Sequence, residues 1–221
     1  MKNISLWLLL LLQAISVNVV AQAPDAAPEP FRRRLSLGLD VSGPVLHLLQ
    51  PETLSQSVSV DLELQPNLMA ALEAGIANFR VDNPSTQYTV SGQFFRVGAN
   101  YNLLQQNPKL PDDQIYAMLR YSFGINTHQA PVISIENPYW GPISHSFEKL
   151  QYAAHWAEVG LGLRTRLFHH FFVGWNIRVS FMLVRTGDLQ VKPYYFSGFG
   201  RNTGNTKFGF QYFLYYRLPT K

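Results

Sequence analysis

The residues in this sequence that could do chemistry are few, and the best single catalytic candidate is His155. It precedes Trp156 at the start of a segment in which apolar and polar residues alternate. A neutral imidazole can act as a general base when a nucleophilic hydroxyl lies within reach. Spacing along the chain assigns no serine to His155. We therefore predict a histidine at a strand end, and a catalytic base remains the alternative.

The other histidines show no pattern that would hold a metal ion. His169 and His170 are adjacent in a predicted tight turn, where neighbouring side chains point to opposite faces. His47, His128 and His145 lie in predicted links without ligand spacing. The sequence contains no cysteine, so it offers neither a disulfide nor a thiolate ligand. We predict no metal and no cofactor.

Charged residues on one parity of the alternating segments form a second group of candidates. This group has five acids and six bases: Asp40, Asp61, Glu63, Glu73, Glu158, Arg96, Arg120, Arg164, Arg178, Lys207 and Arg217. Because an unpaired desolvated charge is costly, near-equal numbers predict a network of ion pairs inside a barrel. An eight-stranded barrel is only wide enough for side chains to fill it. The network therefore predicts a closed lumen rather than a porin, with a proton or ion path as the alternative.

Two long links carry clusters of aromatic residues. One contains Tyr139 and Trp140, and the other contains Tyr194, Tyr195, Phe199 and Arg201. Exposed aromatic and arginine side chains are typical of recognition surfaces. Aromatic side chains also pack together within loops, so these clusters could close the mouth of a barrel instead. Either an extracellular ligand or packing over the mouth would account for them.

The candidate residues above lie on or between predicted β-strands. The evidence for strands is that apolar and polar residues alternate, which is the signature of a β-strand with two different faces. Eight segments show it: 35–42, 58–64, 68–76, 95–102, 115–124, 156–164, 171–181 and 207–217. The links 65–67, 103–113 and 168–170 are short or moderate, whereas 43–56, 79–88, 127–150 and 185–205 are mostly longer. Short turns at one end and long loops at the other are typical of outer-membrane barrels, with the short turns in the periplasm.

Composition favours a membrane barrel over a soluble one. Only 14% of the 221 residues are charged and 14% are aromatic, whereas soluble domains average about 25% charged residues. Beyond the N-terminus no apolar stretch reaches the roughly 18 residues that a membrane helix needs. A soluble, periplasmic, lipocalin-like barrel remains an alternative, with its apolar parity lining a ligand pocket. No basic run accompanies the net charge of +4, so we predict no nucleic-acid partner.

The N-terminal residues predict export. Residues 1–23 have a positive start at Lys2, an apolar run and small-residue cleavage sites, which together indicate a signal peptide. Residues 24–32 form a short Pro-rich periplasmic tail, and 33–219 form the barrel. Gly43-Pro44 begins a short apolar segment through Leu49 that could form a helix. That segment would cap the mouth, lie at the interface or pack as an ordinary loop.

Three stretches resemble an uncharacterised family of small outer-membrane β-barrel proteins from Bacteroidota, classed as a domain of unknown function. These are 154–162, 173–178 and 198–202 followed by 207–210, and Asp40 and Glu73 also fit. The resemblance covers about residues 33–219 and implies a signal peptide, an outer-membrane location and an eight-stranded barrel, but no activity. The architecture is more distantly similar to OmpA-type and OmpX-type barrels. The chain departs from many barrel proteins by ending Pro219-Thr220-Lys221 rather than on an aromatic residue.

We therefore predict an all-β, eight-stranded, antiparallel up-and-down transmembrane barrel in the cell outer membrane. The predicted function is structural or surface-interacting, with a plugged lumen and a monomeric state. Its partners would be outer-membrane lipid, lipopolysaccharide and an extracellular ligand of the loops. The enzymatic alternative is a lipid A-modifying protein with His155 as base, which mass spectrometry of lipid A from a deletion strain would detect.

Overall fold

Eight antiparallel strands pair in chain order to form a closed ring in the computed structural model, which describes residues 34–83, 85–104, 112–137, 141–187 and 192–219. The ring strands are β1 (Leu35–Asp40), β2 (Thr53–Gln65), β3 (Leu68–Asn83), β4 (Thr86–Asn102), β5 (Gln114–Asn137), β6 (Gly141–Phe168), β7 (Phe171–Gly187) and β10 (Thr206–Arg217). Pairing of β1 with β10 closes the ring. This confirms the predicted eight-stranded up-and-down barrel. The predicted signal peptide and tail lie outside the described residues.

Tight turns join strands at one end of the barrel, which we call the short-turn end. Pro66 and Asn67 connect β2 to β3, and His169 and His170 connect β6 to β7. Asn67 has a φ of 68° and His169 a φ of 41°. Asparagine tolerates this left-handed conformation well because its short side chain can bond the local backbone. The start of β1 and the end of β10 lie at this same end.

The opposite end, which we call the long-loop end, differs from the sequence prediction. The predicted links 79–88 and 127–150 are mostly strand, because β3 pairs with β4 as far as Asn83 and Thr86. Likewise β5 pairs with β6 as far as Asn137 and Gly141. The prediction was wrong because apolar alternation ends at about Ile76 and Ile125, whereas backbone pairing continues beyond it. These hairpins therefore extend past the apolar exterior.

A short helix, α1 (Ser42–Leu49), follows β1 at the long-loop end. Just before the helix, the Asp40 carboxylate accepts hydrogen bonds from the Ser42 backbone N–H at 2.8 Å and from the Ser42 hydroxyl at 2.5 Å. Gly43 is required where the helix meets β2, because a Cβ there would collide with the carbonyl oxygen of Ser55. The four large apolar side chains of α1 are exposed: Val45, Leu46, Leu48 and Leu49. In the described part of the chain, no helix is long and apolar enough to cross a membrane.

The two faces of the barrel wall differ sharply in polarity. Large apolar side chains cover the exterior, including Leu39, Val60, Leu72, Val97, Leu119, Leu161, Ile177 and Leu214. Charged and amide side chains are buried on the interior face, including Asp61, Glu73, Arg96, Arg120, Glu158, Arg164 and Arg178. A lipocalin-like barrel requires the reverse arrangement, with apolar side chains inside. The apolar parity therefore faces outwards, contrary to the lipocalin-like alternative, in which it would line a ligand pocket.

Candidate functional site

Arg96 lies at the centre of the barrel interior. Its Nη1 lies 2.5 Å from Glu73 Oε1, and its Nε lies 3.2 Å from Glu158 Oε1. Its Nη2 donates a 2.7 Å hydrogen bond to the carbonyl oxygen of Gly198. The guanidinium also lies over the ring of Phe94, 4.3 Å from its centroid. One buried cation thus joins two carboxylates and the last loop.

Gln211 extends this network across the lumen to β10. Its Nε2 donates to Asp40 Oδ2 at 2.8 Å and to Glu73 Oε1 at 2.9 Å. Its Oε1 accepts a hydrogen bond from Arg178, which also lies 3.8 Å from Glu158. The charge pattern of the sequence did not point to Gln211, because this residue is neutral. Its position on the inward parity of β10 was the available signal.

Strand register explains why these charges meet. Glu73 on β3 lies directly across from Arg96 on β4, and Arg120 on β5 lies directly across from Glu158 on β6. The Arg120 guanidinium also approaches Glu73, with Nη1 3.7 Å from Oε2. Gly98 is paired opposite Arg120, and a Cβ at Gly98 would collide with the carbonyl oxygen of Leu119. The network therefore follows from cross-strand pairing in two neighbouring rows of inward residues.

A second pair lies nearer the short-turn end. Arg164 and Asp61 form a buried ion pair across the lumen. The Arg164 guanidinium lies 3.8 Å from the centroid of the Tyr215 ring, a cation–π contact. The ring of Tyr116 lies on another side at 6.0 Å. This pair is separate from the Arg96 network in its direct contacts.

A third group of charges closes the short-turn end around Asp112. Asp112 pairs with Arg217, with Arg166 at 2.8 Å and with Arg34 at 3.4 Å. Glu63 lies 3.8 Å from Arg34. Arg217 and Glu63 thus belong to this end rather than to the central network. Asp112 lies in a link without periodicity, so the sequence pattern did not mark it as part of a charge group.

Lys207 lies apart from all three groups. It is at the start of β10 at the long-loop end, and its ammonium bonds the hydroxyl of Thr203. Among the described residues it forms no ion pair. Lys207 does lie on the inward parity of β10, but it is at the long-loop end of that strand, away from the charged interior.

The last loop folds back into the barrel mouth and forms a small hairpin. Its strands are β8 (Tyr195–Phe196) and β9 (Gly200–Arg201). Ser197 fastens the hairpin, since its backbone N–H donates to Asn126 Oδ1 at 2.8 Å and its hydroxyl to the Ala77 carbonyl at 3.1 Å. We call residues 192–205 the plug loop.

Aromatic packing holds the plug loop against the barrel wall. The rings of Phe199 and Trp156 meet edge to face at 5.9 Å. The hydroxyl of Tyr152 donates a 2.5 Å hydrogen bond to the carbonyl of Tyr195. Burial raises the pKa of the Tyr195 phenol to about 12, so the hydroxyl stays protonated at neutral pH.

Gly198 sits where the plug loop touches the Arg96 network. Its φ is +82°, and a Cβ there would lie only 2.6 Å from the ring of Phe94. A left-handed residue in such a close approach must be glycine. Its carbonyl is then free to accept the hydrogen bond from Arg96. The network and the plug loop are consequently one connected structure.

The two alternatives for the aromatic loops apply to different residues. Tyr195 and Phe199 are buried in the mouth, whereas Tyr194 and Arg201 are exposed. Arg201 pairs with Glu52 at 3.1 Å in the link between α1 and β2. Tyr139 and Trp140 lie outside the described residues. Of the last cluster, therefore, Tyr194 and Arg201 are exposed, although both also pack against Phe79.

His155 lies on the exterior face of β6, partly exposed. Its Nδ1 is 2.7 Å from the hydroxyl of Tyr121, and its ring stacks on Phe123. Among the described residues no serine contacts it, so no nucleophile of the predicted type is supplied. The catalytic role remains a prediction.

His128, by contrast, is buried in the mouth against Tyr88, whose hydroxyl lies 3.0 Å from its Nδ1. The sequence placed it in a loop, but it lies within β5. No cluster of three metal-ligating side chains occurs in the described ranges.

Comparison with known proteins identifies the family. A family model described as Domain of unknown function (DUF6048) matches residues 1–221. The chain belongs to this family. The family has no assigned function, so membership confirms the predicted resemblance without adding a reaction or a ligand. The Bacteroidota origin remains a prediction. No curated protein matches the chain.

Two solved structures are similar to this family member in fold. Neisserial surface protein A (NspA) is 11% identical with a TM-score of 0.40, and the match covers 85% of this chain and 96% of NspA. CarO2 of Acinetobacter baumannii is 10% identical with a TM-score of 0.41, covering 86% of this chain and 100% of CarO2. At this level neither structure carries an argument about function.

Proposed function

We propose that the protein is an outer-membrane β-barrel of structural or surface-interaction type, whose lumen is closed by its own side chains. The observation that supports this most directly is the inversion of polarity across the wall. Buried ion pairs fill the interior, and apolar side chains cover the exterior. Exposing that exterior to water would be unfavourable, whereas lipid matches it.

The height of the apolar exterior fits a membrane. On β5 the outward positions from Ile115 to Ile125 are all apolar or aromatic, and Thr127 and Gln129 follow. The ten residue-to-residue steps from Ile115 to Ile125, at about 3.3 Å each and tilted by about 40°, rise roughly 25 Å. That is the height of the apolar band in outer-membrane barrels. The short-turn end would face the periplasm, and the long-loop end the outside.

Features beyond the apolar band support a surface role. The hairpins of β3–β4 and β5–β6 continue past it with polar outward residues such as Asn78, Ser91 and Gln129. Tyr194 and Arg201 are exposed at the same end. We propose outer-membrane lipid and lipopolysaccharide as partners of the band, an extracellular ligand for the exposed loop residues, and a monomeric state.

Fractionation and gel migration test the proposed location. The protein should be recovered in the outer-membrane fraction, and the unheated sample should migrate differently from the boiled sample on an SDS gel. A closed ring of hydrogen-bonded strands resists SDS until it is heated, which produces this shift. Recovery in the osmotic-shock fluid without a shift would contradict the proposal.

Conductance tests the closed lumen. Arg96, Glu73, Glu158 and the plug loop obstruct the interior, so purified protein in a planar bilayer should give no stable open channel. An OmpA-type barrel and a trimeric porin serve as closed and open controls. Reproducible conductance steps in most insertions would refute the closed lumen but leave the membrane location intact.

A further inference from the structure

We propose that a basic pocket at the long-loop end binds the phosphate group of an outer-leaflet glycolipid. The inference rests on the membrane location proposed above and assigns a lipid ligand to a defined site. The pocket lies between the end of β7 and the plug loop. Its lining consists of Arg185, Lys192, Pro193, Asn202, Thr203, Gly204 and Asn205.

The pocket carries positive charge without a compensating carboxylate among the described residues. Arg185 and Lys192 line it, and Lys207 reaches its edge by bonding Thr203. None of these three cations forms an ion pair within the described ranges, unlike the buried arginines of the lumen. Such a group of cations attracts an anion, and the attraction is strong where water is partly excluded.

Arg185 is oriented by the pocket and retains donors for a ligand. Its Nη2 donates to Asn205 Oδ1 at 2.8 Å and to Asn202 Oδ1 at 3.4 Å. Its Nε is buried and has no hydrogen-bond partner among the described residues. A guanidinium offers five N–H donors in a planar fork that matches phosphate oxygens. A phosphate would use the terminal guanidinium N–H groups that Asn202 and Asn205 leave free, because the buried Nε is out of a ligand's reach.

The pocket borders the apolar exterior, which indicates an amphiphile rather than a free anion. Leu183 and Val184 directly precede Arg185 and are exposed. The backbone of Asn205 accepts a 2.8 Å hydrogen bond from Met182, and Phe208 on the next strand is 87% exposed. A ligand with its phosphate in the pocket can place acyl chains against these side chains. Phosphorylated glycolipid of the outer leaflet has this combination of groups.

Native mass spectrometry of the refolded full-length barrel in detergent tests the site. Three probes are compared: bisphosphorylated lipid A, lipid A from which both phosphates have been removed, and inorganic phosphate. The wild type should retain bisphosphorylated lipid A. The R185Q/K192Q variant should bind it at least about tenfold more weakly, since charge-assisted contacts are lost. The matched control R80Q/K149Q, which also removes two cations from the long-loop end, should bind like the wild type.

Each other outcome overturns the assignment. Equal retention of dephosphorylated lipid A would show that apolar contact alone binds the lipid. Equal binding of inorganic phosphate would make the pocket a free-anion site. Equal losses in both double variants would indicate unspecific charge attraction. A gel shift on boiling is measured on every sample, so a folded, heat-modifiable barrel that fails to bind refutes this site and not the proposed location. If R185Q/K192Q fails to fold, the site is tested by the binding of bisphosphorylated lipid A to K192Q and of dephosphorylated lipid A to the wild type.

Discussion

Replacing Arg96 with methionine should lower the free energy of unfolding by about 3–5 kcal/mol, the range for removing one partner from a buried ion pair. Arg96 compensates Glu73 and Glu158, and both carboxylates are buried. Methionine fills much of the space but supplies neither charge nor donors. Equilibrium unfolding in urea, followed by circular dichroism on protein in lipid vesicles, measures the loss.

Two comparisons isolate the buried charge from the mere loss of an arginine. Arg80→Met removes an exposed pair with Asp82 and should cost less than about 1 kcal/mol. Adding Glu73→Gln and Glu158→Gln to the Arg96 variant should restore part of the stability, because neutral amides leave no uncompensated charge. Equal losses of unfolding free energy in the Arg80 and Arg96 variants would contradict this, because they would mean that water screens the charges of the interior.

Replacing Trp156 with alanine should destabilise the barrel by a similar amount, about 3–5 kcal/mol. The side chain is completely buried, and its indole Nε1 donates to Glu158 Oε1 at 2.6 Å. It also supports Phe199 of the plug loop. The alanine variant should therefore be cleaved faster by added protease within residues 192–205.

Trp156→Phe separates packing from hydrogen bonding. Phenylalanine retains most of the ring contact with Phe199 but leaves Glu158 without the indole donor, at a cost of about 1–3 kcal/mol. Trp175→Ala is the matched control, because Trp175 lies on the exterior, where lipid can fill the space. If the Trp156 and Trp175 alanine variants lose equal stability with unchanged proteolysis, Trp156 does not hold the plug loop.

The ring of strands could be predicted because apolar and polar residues alternate wherever one face of a strand contacts apolar surroundings and the other face does not. On β5, Ile115, Leu119 and Ile125 share the outward parity, and Arg120 falls on the other. Such a pattern assigns both face and register. The inward parity also located the acids and bases of the Arg96 network, although not the way they divide into three groups.

The strand extensions and the plug loop were harder to predict, for a physical reason. Above Ile125 the outward residues Thr127 and Gln129 are polar, so neither parity marks the strand by its hydrophobicity. The inward parity nonetheless changes character near the mouth, from charged to aromatic. Phe79, Tyr88, Tyr152 and Trp156 all face inwards there. Aromatic side chains that face inwards at the open mouth of a barrel must be covered from water. Their presence on the inward parity was the available signal that a loop folds into the mouth.

The unequal lengths of the two strands that close the ring bear on how the barrel assembles. β1 has only 6 residues, whereas β10, its partner, has 12. Every other pairing in the described ring joins neighbours along the chain, so hairpins can form locally and add one after another. Pairing β1 with β10 must instead close a loop of nearly the whole barrel. The entropic cost of that closure is offset by only a few hydrogen bonds, because β1 is short. The pairing of β1 with β10 should therefore form last when the barrel folds, and it should be the first strand pairing lost when the barrel opens.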